Sequence, residues 1–510
     1  MVSLDSRFWT RFAGLDTVVK AGLAVLLVAL ATTGNADADL WGHVRFGQDI
    51  LAAGHVVKVD PYSFTSDREW VNHEWLAEVA MALAWNTGGT AGLVTLKALL
   101  LLGTLYIVGW SARRAGLPPW GAWLLVAVAA VGIVPRATTV RPQLFSLVLF
   151  ATQLCILNEH EVRQRRWPLA GLPLLYALWV NLHGGWLVGG GVLALWVLGQ
   201  MLERRLPSID RALLFGAGAL SLLATLANPY GTGMWRFLAD TVGVSRPHIA
   251  DWKPAWSSVA LVVPLVCVTL VAGVALALRS RRPGPTRVAV ATALWCLALA
   301  VSRLDAFFAI AVSTLLAIPI ADAVKRWLRG RVQPAQPPSE LLGRALINGA
   351  VVVVLLAVAT AGVRSNASCL SFGDPATAPE PEAVEFIRQS GLRGRFLTYY
   401  NYGEYAIWHL APSVRISMDG RRETVYTDAI VDAHFRFYAA PEQAPEFPDT
   451  IGADVVWLPN ASRAGSTLEL AGWLPAFIGP VSTIWTREPT VPRARPDSQS
   501  RAGKRCFPAL

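Results

Sequence analysis

The segment Asp37-Ala-Asp39-Leu-Trp-Gly-His43 contains the residue types that general-base and metal chemistry require. It directly follows the first long apolar run, which places its carboxylates at the rim of a membrane. In an extended segment Asp37 and Asp39 would face the same way and could share a divalent cation, Mg²⁺ or Mn²⁺. In a helix Asp39 would instead share a face with His43 and act alone as a general base. Both alternatives stay open, and we predict Asp37, Asp39 and His43 as catalytic residues.

A second group lies in the same loop, at Trp70-Val-Asn-His-Glu-Trp75-Leu-Ala-Glu78. Glu74 and Glu78 are one helical turn apart, and His73 adjoins them. A zinc protease motif would need a histidine where the chain has Ala77, so that class is excluded. We predict that His73 and Glu74 bind substrate, while the tryptophans anchor an interfacial helix.

Cations between the apolar runs predicted on the outer side form a third group. Ionisable groups there are costly and often functional, and the planar guanidinium suits phosphate oxygens. The alternatives are an ion pair between Arg303 and Asp305 and snorkelling of Lys97 to the interface. We predict that four side chains bind the phosphate of a substrate: Lys97, Arg136, Arg141 and Arg303.

Polar residues also interrupt apolar or β-like sequence at two further places. Asn181 and His183 lie within Trp179–Trp186, and we predict substrate binding there, with a structural hairpin as the alternative. The segments Asn401–Trp408 and Met418–Glu423 lie in the tail, where Asp-Gly-Arg is a turn signal. For these tail segments we expect acceptor or partner binding rather than catalysis.

The composition indicates which elements must position these residues. The chain has 510 residues, of which 54% are hydrophobic and 16% are charged. Soluble domains have about 25% charged residues, so the composition predicts a polytopic membrane protein. A helix needs about 20 apolar residues to cross a bilayer. Eleven segments are candidates: 17–34, 90–110, 119–135, 143–158, 168–183, 186–202, 212–228, 258–278, 287–303, 305–323 and 345–363.

Lysine and arginine cluster in every second connection, as the positive-inside rule requires when the amino terminus is inside. The net charge of +10 is therefore attributed to residues that orient the chain in the membrane, and it does not indicate nucleic-acid binding. The first segment is expected to be an uncleaved helix. The Ala- and Arg-rich composition is typical of a bacterial source, and an odd number of helices places the tail outside the inner membrane. The basic clusters are Arg113–Arg114, Arg163–Arg166, Arg204–Arg211, Arg279–Arg287 and Lys325–Arg331.

The fold class predicted is an α-helical polytopic membrane protein of about eleven helices with a small extracytoplasmic α/β domain. Residues 1–363 form the transmembrane domain, in which 35–89 is a large outer catalytic loop. Residues 364–489 alternate β-like and helix-like runs, and 490–510 are expected to be disordered. Cys369 and Cys506 flank this tail and either pair in an oxidising compartment or stay as two thiols.

Taken together, these motifs resemble the GT-C superfamily of integral-membrane glycosyltransferases, and more closely a group of bacterial membrane proteins within it. The resemblance implies a polyprenyl-phosphate-linked sugar donor, inversion at the anomeric carbon, and an aspartate of the first outer loop as base. That role would fall on Asp39 or Asp37. The Asp-Ala-Asp spacing departs from the adjacent Asp-Glu of many relatives, which bears on metal dependence. The segments that carry the resemblance are Asp37–Arg45, Asp60–Thr65, Trp70–Glu78, Arg141–Gln143, Asn181–Gly185 and Asp419–Arg421.

The function predicted is transfer of a sugar to an acceptor hydroxyl on a lipid, a glycan or a protein. One rival is a transporter or flippase of lipid-linked substrates, which would distribute polar residues through the bilayer depth. Here the polar groups concentrate at one face, which favours an enzyme. The other rival is a non-catalytic scaffold of an envelope-assembly complex, for which Asp37→Asn and Asp39→Asn would change nothing.

Overall fold

The computed structural model describes residues 6–241, 252–277, 284–328, 338–372, 377–489, 491, 493–494 and 505–508. The basic residues at 279, 281, 282, 329 and 331 used above for orientation lie outside this part of the chain.

Nineteen α-helices lie in the described residues, and each of the eleven apolar segments falls on at least one of them. The helices are α1 (Ser6–Ala31), α2 (Leu40–Ala53), α3 (Trp75–Arg114), α4 (Pro119–Ile133), α5 (Gln143–Arg163), α6 (Gly171–Trp179), α7 (Trp186–Glu203), α8 (Ser208–Ala224), α9 (Gly233–Thr241), α10 (Val259–Ala277), α11 (Pro285–Ala300), α12 (Asp305–Leu315), α13 (Ala317–Leu328), α14 (Pro338–Ser365), α15 (Pro381–Ser390), α16 (Gly403–Leu410), α17 (Asp428–Ala439), α18 (Phe447–Thr450) and α19 (Ala464–Leu470).

Eight short strands lie in the same described ranges. They are β1 (Asn35–Ala36), β2 (Leu370–Phe372), β3 (Gly394–Thr398), β4 (Val414–Ile416), β5 (Val455–Pro459), β6 (Leu474–Ile478), β7 (Ser482–Thr486) and β8 (Cys506–Phe507).

The first of two compact units contains residues 1–33, 94–232 and 242–365 and is helical wherever it is described in regular elements. Five described helices are long and apolar enough to cross a membrane, or six if the bent pair α12 and α13 is one span. Three shorter apolar helices lie at Val18–Ala31, Trp167–Trp179 and Pro285–Ala300. The protein is thus a multi-pass membrane protein, and the count of eleven spans stays a prediction.

The second unit contains residues 34–93, 233–241 and 366–510. Its five-stranded sheet has the order β4-β3-β5-β7-β6, in which β3 runs parallel to β4 and β5 while β7 is antiparallel to its neighbours. Ser63 continues this sheet by a parallel bridge to Ile416 of β4. The mixed sheet with helices agrees with the α/β tail that the alternating pattern predicts.

This grouping differs from the division made on the sequence, which assigned 35–89 to the transmembrane domain. Residues 34–93 belong to the same compact unit as the tail, because the 60–65 segment pairs with β4 and β1 pairs with β2. Within 490–510, where the sequence predicts disorder, Cys506–Phe507 forms a strand, and Cys506 is disulfide-bonded to Cys369. The remaining residues after 494 lie outside the described part, apart from 505 and 508.

Candidate active site

The Asp37–Asp39 segment connects β1 to α2 through a turn, and Asp39 is the residue that caps α2. Its backbone is already helical (φ −80°, ψ −9°), and its carbonyl accepts the N–H of His43 at 3.0 Å. Gly54, with φ 70°, ends the same helix in a left-handed conformation that suits glycine. The helical alternative for Asp39 and His43 is therefore the one realised, and the extended segment needed for a cation shared by the two aspartates is absent at 38–39.

Glu404, at the start of α16, provides the carboxylate that lies beside Asp39. Its Oε2 accepts the backbone N–H of Gly42 at 3.0 Å, which satisfies one of the N–H groups left open at the start of α2. The side chain of Glu404 is buried, whereas Asp39 is half-buried. The glycine at 42 permits this approach because a Cβ there would clash with the Glu404 carboxylate.

Gly420 lies against both carboxylates. A Cβ at this position would clash with Oδ1 of Asp39 and would come within 2.8 Å of Oε1 of Glu404. Similarly, a Cβ added at Gly403 would lie 2.7 Å from the Cβ atom of Asp419. Glycines at 42, 403 and 420 thus bring α2, α16 and the turn after β4 into close contact.

Glu404 is buried among negative charges. Burial raises the pKa of Glu404 well above its usual range, and the charges of Asp39 and Asp419 raise it further, against the opposing effect of Arg421. These effects favour the neutral form of the Glu404 carboxyl.

Arg421 holds two further aspartates in a bidentate arrangement on each side. Its Nη1 and Nη2 donate to Asp60 at 2.7 and 3.1 Å, and its Nη2 and Nε donate to Asp419 at 2.6 and 3.0 Å. The side chain is 6% exposed. Burial alone would lower the pKa of Arg421, but the charges of Asp419 and Asp60 raise it well above its usual value.

Aromatic rings surround the same guanidinium. Its Cζ lies 4.8, 5.0 and 5.3 Å from the ring centres of Trp70, Phe46 and Tyr62. Asp60 is fixed by the backbone N–H groups of Tyr62 and Ser63 at 2.9 and 3.2 Å. This arrangement joins the 60–65 segment to the Asp419-Gly420-Arg421 turn, so that Gly420 is held against Asp39.

His43 makes the third polar group of the site with Glu78. Its Nδ1 lies 3.3 Å from Oε1 of Glu78, whose Oε2 accepts the amide of Asn72 at 2.5 Å. Burial alone would lower the pKa of His43, but the bond to Glu78 and the charges of Glu74, Glu78 and Asp39 raise it to about 9. A pKa of about 9 favours the imidazolium form of His43 at neutral pH, and its catalytic role stays a prediction.

His73 and Glu74, predicted to bind substrate, lie in the same unit. Nε2 of His73 is 3.5 Å from Oε1 of Glu74, and the imidazole ring lies 5.6 Å from that of Phe237. Both residues are half-buried. Their role stays a prediction.

The cations predicted to bind phosphate all belong to the other unit. Nζ of the buried Lys97 donates to the carbonyl oxygens of Thr33 and Thr138 at 2.7 and 3.0 Å. Arg136 binds Asp305 at 3.1 Å and the carbonyl of Ser302 at 3.0 Å. Asp305 thus has a partner that the sequence did not indicate.

The two other cations of that set are half-buried. The guanidinium of Arg303 lies 5.2 Å from the ring centre of Trp252 and 3.5 Å from the Gln143 side-chain oxygen. Arg141 directly precedes Pro142 at the start of α5. Phosphate binding by Lys97, Arg136, Arg141 and Arg303 stays a prediction.

Asn181 and His183 organise the connection between α6 and α7. Asn181 donates to the carbonyl oxygens of Ala177 and Ala227, both at 2.8 Å. Nδ1 of His183 accepts the N–H of Gly185 at 2.9 Å and lies 2.8 Å from Oγ of Ser146. These bonds match the structural hairpin that the sequence left open, and substrate binding here stays a prediction.

Among the described residues, no group of three or more His, Cys, Asp or Glu side chains is arranged to hold a metal ion, and the divalent cation stays a prediction. Asp37 and Asp39 follow a turn instead of the extended course that would align them.

The sequence did not predict that Glu404, Glu78 and Arg421 lie with Asp39 and His43. Glu78 is visible as the acid one turn after Glu74, and Glu404 and Arg421 lie in the two tail segments expected to bind an acceptor or a partner. The contact of Glu404 with Gly42 has no local signal, because it joins residues 362 positions apart.

The sequence matches no protein-family model and no curated protein. The structure is similar to that of ArnT from Cupriavidus metallidurans, solved bound to undecaprenyl phosphate, with 13% identity and a TM-score of 0.54 over 95% of this chain and 99% of ArnT. It is also similar to the arabinofuranosyltransferase AftD from Mycobacteria, with 13% identity and a TM-score of 0.52 over 96% of this chain. The chain spans 40% of the length of AftD. This chain therefore has the GT-C fold that the sequence resemblance implies.

Proposed function

We propose that this protein is an inverting glycosyltransferase that moves a sugar from a polyprenyl-phosphate-linked donor to an acceptor hydroxyl. The observation that supports this most is the half-buried Asp39 beside the buried Glu404, both against Gly420, in a chain of GT-C fold. The donor class is also supported by the undecaprenyl phosphate bound to ArnT. The site would lie on the outer face of a bacterial inner membrane, with the amino terminus cytoplasmic and the tail periplasmic.

Asp39 would take the proton of the acceptor hydroxyl while the hydroxyl oxygen forms a bond to the anomeric carbon of the donor sugar. The bond between that carbon and the phosphate oxygen breaks, and its electron pair leaves with the lipid phosphate. Attack opposite the leaving group inverts the anomeric centre. Afterwards the proton passes from Asp39 to water.

Glu404 and His43 would set the environment of this base. The raised pKa of Glu404 favours its neutral form, which would limit negative charge beside Asp39, and its bond to Gly42 fixes the start of the helix that Asp39 caps. The imidazolium of His43 lies one helical turn from Asp39 and favours its ionised form at neutral pH.

The departing phosphate gains negative charge and needs cations to stabilise it. Lys97, Arg136, Arg141 and Arg303 are the proposed sources. Arg136 would have to exchange Asp305 for phosphate, because its guanidinium is bound to that carboxylate. The tail would bind the acceptor or a partner.

A transfer assay on the purified protein in nanodiscs tests the proposal. Labelled polyprenyl-phosphate sugars serve as donors and native membrane extract as acceptor, and wild type is compared with Asp39→Asn and Asp37→Asn. Asp432→Asn, an exposed carboxylate of α17, is the matched control. We expect transfer by wild type and the control and loss in Asp39→Asn.

No transfer across the donor panel would contradict the proposal. Movement of intact lipid-linked sugar across a vesicle membrane would then indicate a flippase. Full complementation of a deletion strain by Asp39→Asn would instead indicate a scaffold.

A further inference from the structure

The described segment Arg505–Pro508, here called the clip, is fixed to the elements that carry the two carboxylates of the proposed site. It contains β8, and Cys506 is disulfide-bonded to Cys369, the residue before β2. Cys506 is 5% exposed and Phe507 is fully buried. The segment is thus packed into the unit, and the disulfide closes a separation of 137 residues.

The first connection reaches the strand that directly precedes Asp37. Strand β2 is central in a three-stranded sheet, in which it pairs with β8 on one side and β1 on the other. Ser371 lies opposite both Cys506 and Asn35. The carbonyl of Gly34 also accepts the N–H of Ser371 at 2.9 Å. The disulfide therefore fixes β2, and β2 pairs with β1, which leads directly into the Asp37–Asp39 turn.

The second connection reaches α2 through Trp41, two residues after Asp39. Trp41 is fully buried, and its Nε1 donates to the carbonyl oxygen of Pro508 at 3.3 Å. Its ring lies 5.9 Å from that of Phe507 and is stacked on Phe372 at 4.9 Å. The clip thus fixes the first turn of α2 from the side of its tryptophan.

The third connection reaches α16, which carries Glu404. Phe507 contacts Trp408 of this helix at 5.6 Å between ring centres, and Tyr405 meets Trp41 edge-on at 4.9 Å. Trp85 completes the cluster, with its ring 5.1 Å from Phe507. One aromatic cluster therefore spans both helices whose first turns hold Asp39 and Glu404.

We propose that the clip is a positioning element of the carboxylate site, with Phe507, Trp41 and the Cys369–Cys506 disulfide as its positioning residues. They set the distance between the first turns of α2 and α16, so that reduction of the disulfide loosens Asp39 relative to Glu404. This inference rests on the proposed function for its effect on rate, and on the structure alone for its effect on α2.

The test measures two quantities on the full chain in nanodiscs. Backbone hydrogen exchange is followed at residues 40–46, which include the Gly42 amide bound to Glu404, and at β5 as a reference for the fold. Transfer is followed as kcat and KM for the donor. The variants are Phe507→Ala, Phe507→Leu, Trp41→Phe and the Cys369→Ser/Cys506→Ser double substitution. Cys267→Ser, an exposed free cysteine, is the control.

We expect faster exchange at 40–46 in Phe507→Ala and in the double serine variant, with β5 still protected. Because small misplacements of a catalytic group are costly, kcat should fall roughly 10- to 100-fold with an unchanged KM. Phe507→Leu should recover most of the rate, and Trp41→Phe, which loses the bond to Pro508 and part of the ring contacts, should be intermediate. Dithiothreitol should reproduce the double variant in wild type and have no effect on the double variant.

Unchanged exchange at 40–46 and unchanged kcat in both the double variant and Phe507→Ala would overturn the proposal. Equal loss of protection at β5 would show a general role in folding and would also overturn it. If wild type transfers no sugar, the proposed function fails while the exchange measurement still decides whether the clip positions α2.

Discussion

Two pairs of carboxylates lie in the same compact unit and differ in what balances their charge. Asp60 and Asp419 are both held by Arg421, whose guanidinium is enclosed by aromatic rings. Asp39 and Glu404 instead meet at Gly420, where Glu404 receives a backbone N–H and has its pKa raised by burial. Arg421 binds both members of the first pair, whereas the second pair has one buried carboxyl of raised pKa and one half-buried carboxylate.

On the proposed function, the difference separates structural from reactive carboxylates. Buried ions paired through several bonds are costly to break and poorly placed for proton transfer. The half-buried Asp39 is the member of the second pair that we propose as the base. We therefore expect substitutions in the first pair to affect folding and substitutions in the second to affect transfer.

Asp39→Asn should produce the largest effect on activity. Loss of a general base lowers the rate roughly 10²- to 10⁴-fold, while the amide keeps the size of the side chain. The check is single-turnover transfer together with the unfolding temperature. If Asp39→Asn loses transfer only because it unfolds, the distinction between carboxylates needed for folding and carboxylates needed for transfer is wrong.

Arg421→Gln should produce the largest effect on stability. Removing the cation leaves two buried carboxylates together, and breaking a buried pair costs about 3 to 5 kcal/mol. Urea unfolding of the second unit, followed by tryptophan fluorescence, measures it. A matched substitution at the exposed Arg393 should be close to neutral, and equal stability of the two variants would refute the bracing role of Arg421.

The charge of His43 should appear in the pH dependence of stability. Its pKa is about 9 in the folded protein and about 6.5 when unfolded, so its contribution is present below pH 6.5 and is lost as the pH rises to 9. That contribution is at most about 3 kcal/mol. Thermal unfolding of wild type and His43→Gln from pH 6 to 10 checks it. If the unfolding temperatures of the two proteins change in parallel with pH, His43 makes no such contribution to stability.

Gly420→Ala should produce the smallest effect on stability. The added methyl group clashes with the Asp39 carboxylate and must displace it, and overpacking typically costs about 1 to 3 kcal/mol. Transfer should fall more than stability does. Gly190→Ala, where an added Cβ meets no atom within 4 Å, is the control. Similar transfer activities of the two variants would argue against the contact between Gly420 and the Asp39 carboxylate.

Local sequence patterns predicted the features that depend only on neighbours a few residues apart. Apolar run length located the helices, and spacing placed Asp39 and His43 one helical turn apart. The partners across the fold were not predictable in this way. Arg136 binds Asp305 across 169 positions, and Glu404 approaches Gly42 only because two helices begin side by side.

The contacts of the cations predicted to bind phosphate were also not predictable from the charge rules. Lys97 and Arg136 were selected because the positive-inside rule does not account for their predicted outer position. Their head groups contact carbonyl oxygens and Asp305, and phosphate binding by them stays a prediction. A cation placed against the rule therefore needs a partner, and the partner can be the protein itself.

The bonds between Arg421 and Asp60 join residues 361 positions apart, and this separation sets a time scale for biosynthesis. At about 5 to 20 residues per second, a ribosome needs roughly 20 to 70 seconds to reach Arg421 after Asp60. Throughout that interval the 60–65 segment lacks its cation and its sheet partner. The nascent chain therefore carries an unfinished site, which has to avoid aggregation until the last strands have been synthesised.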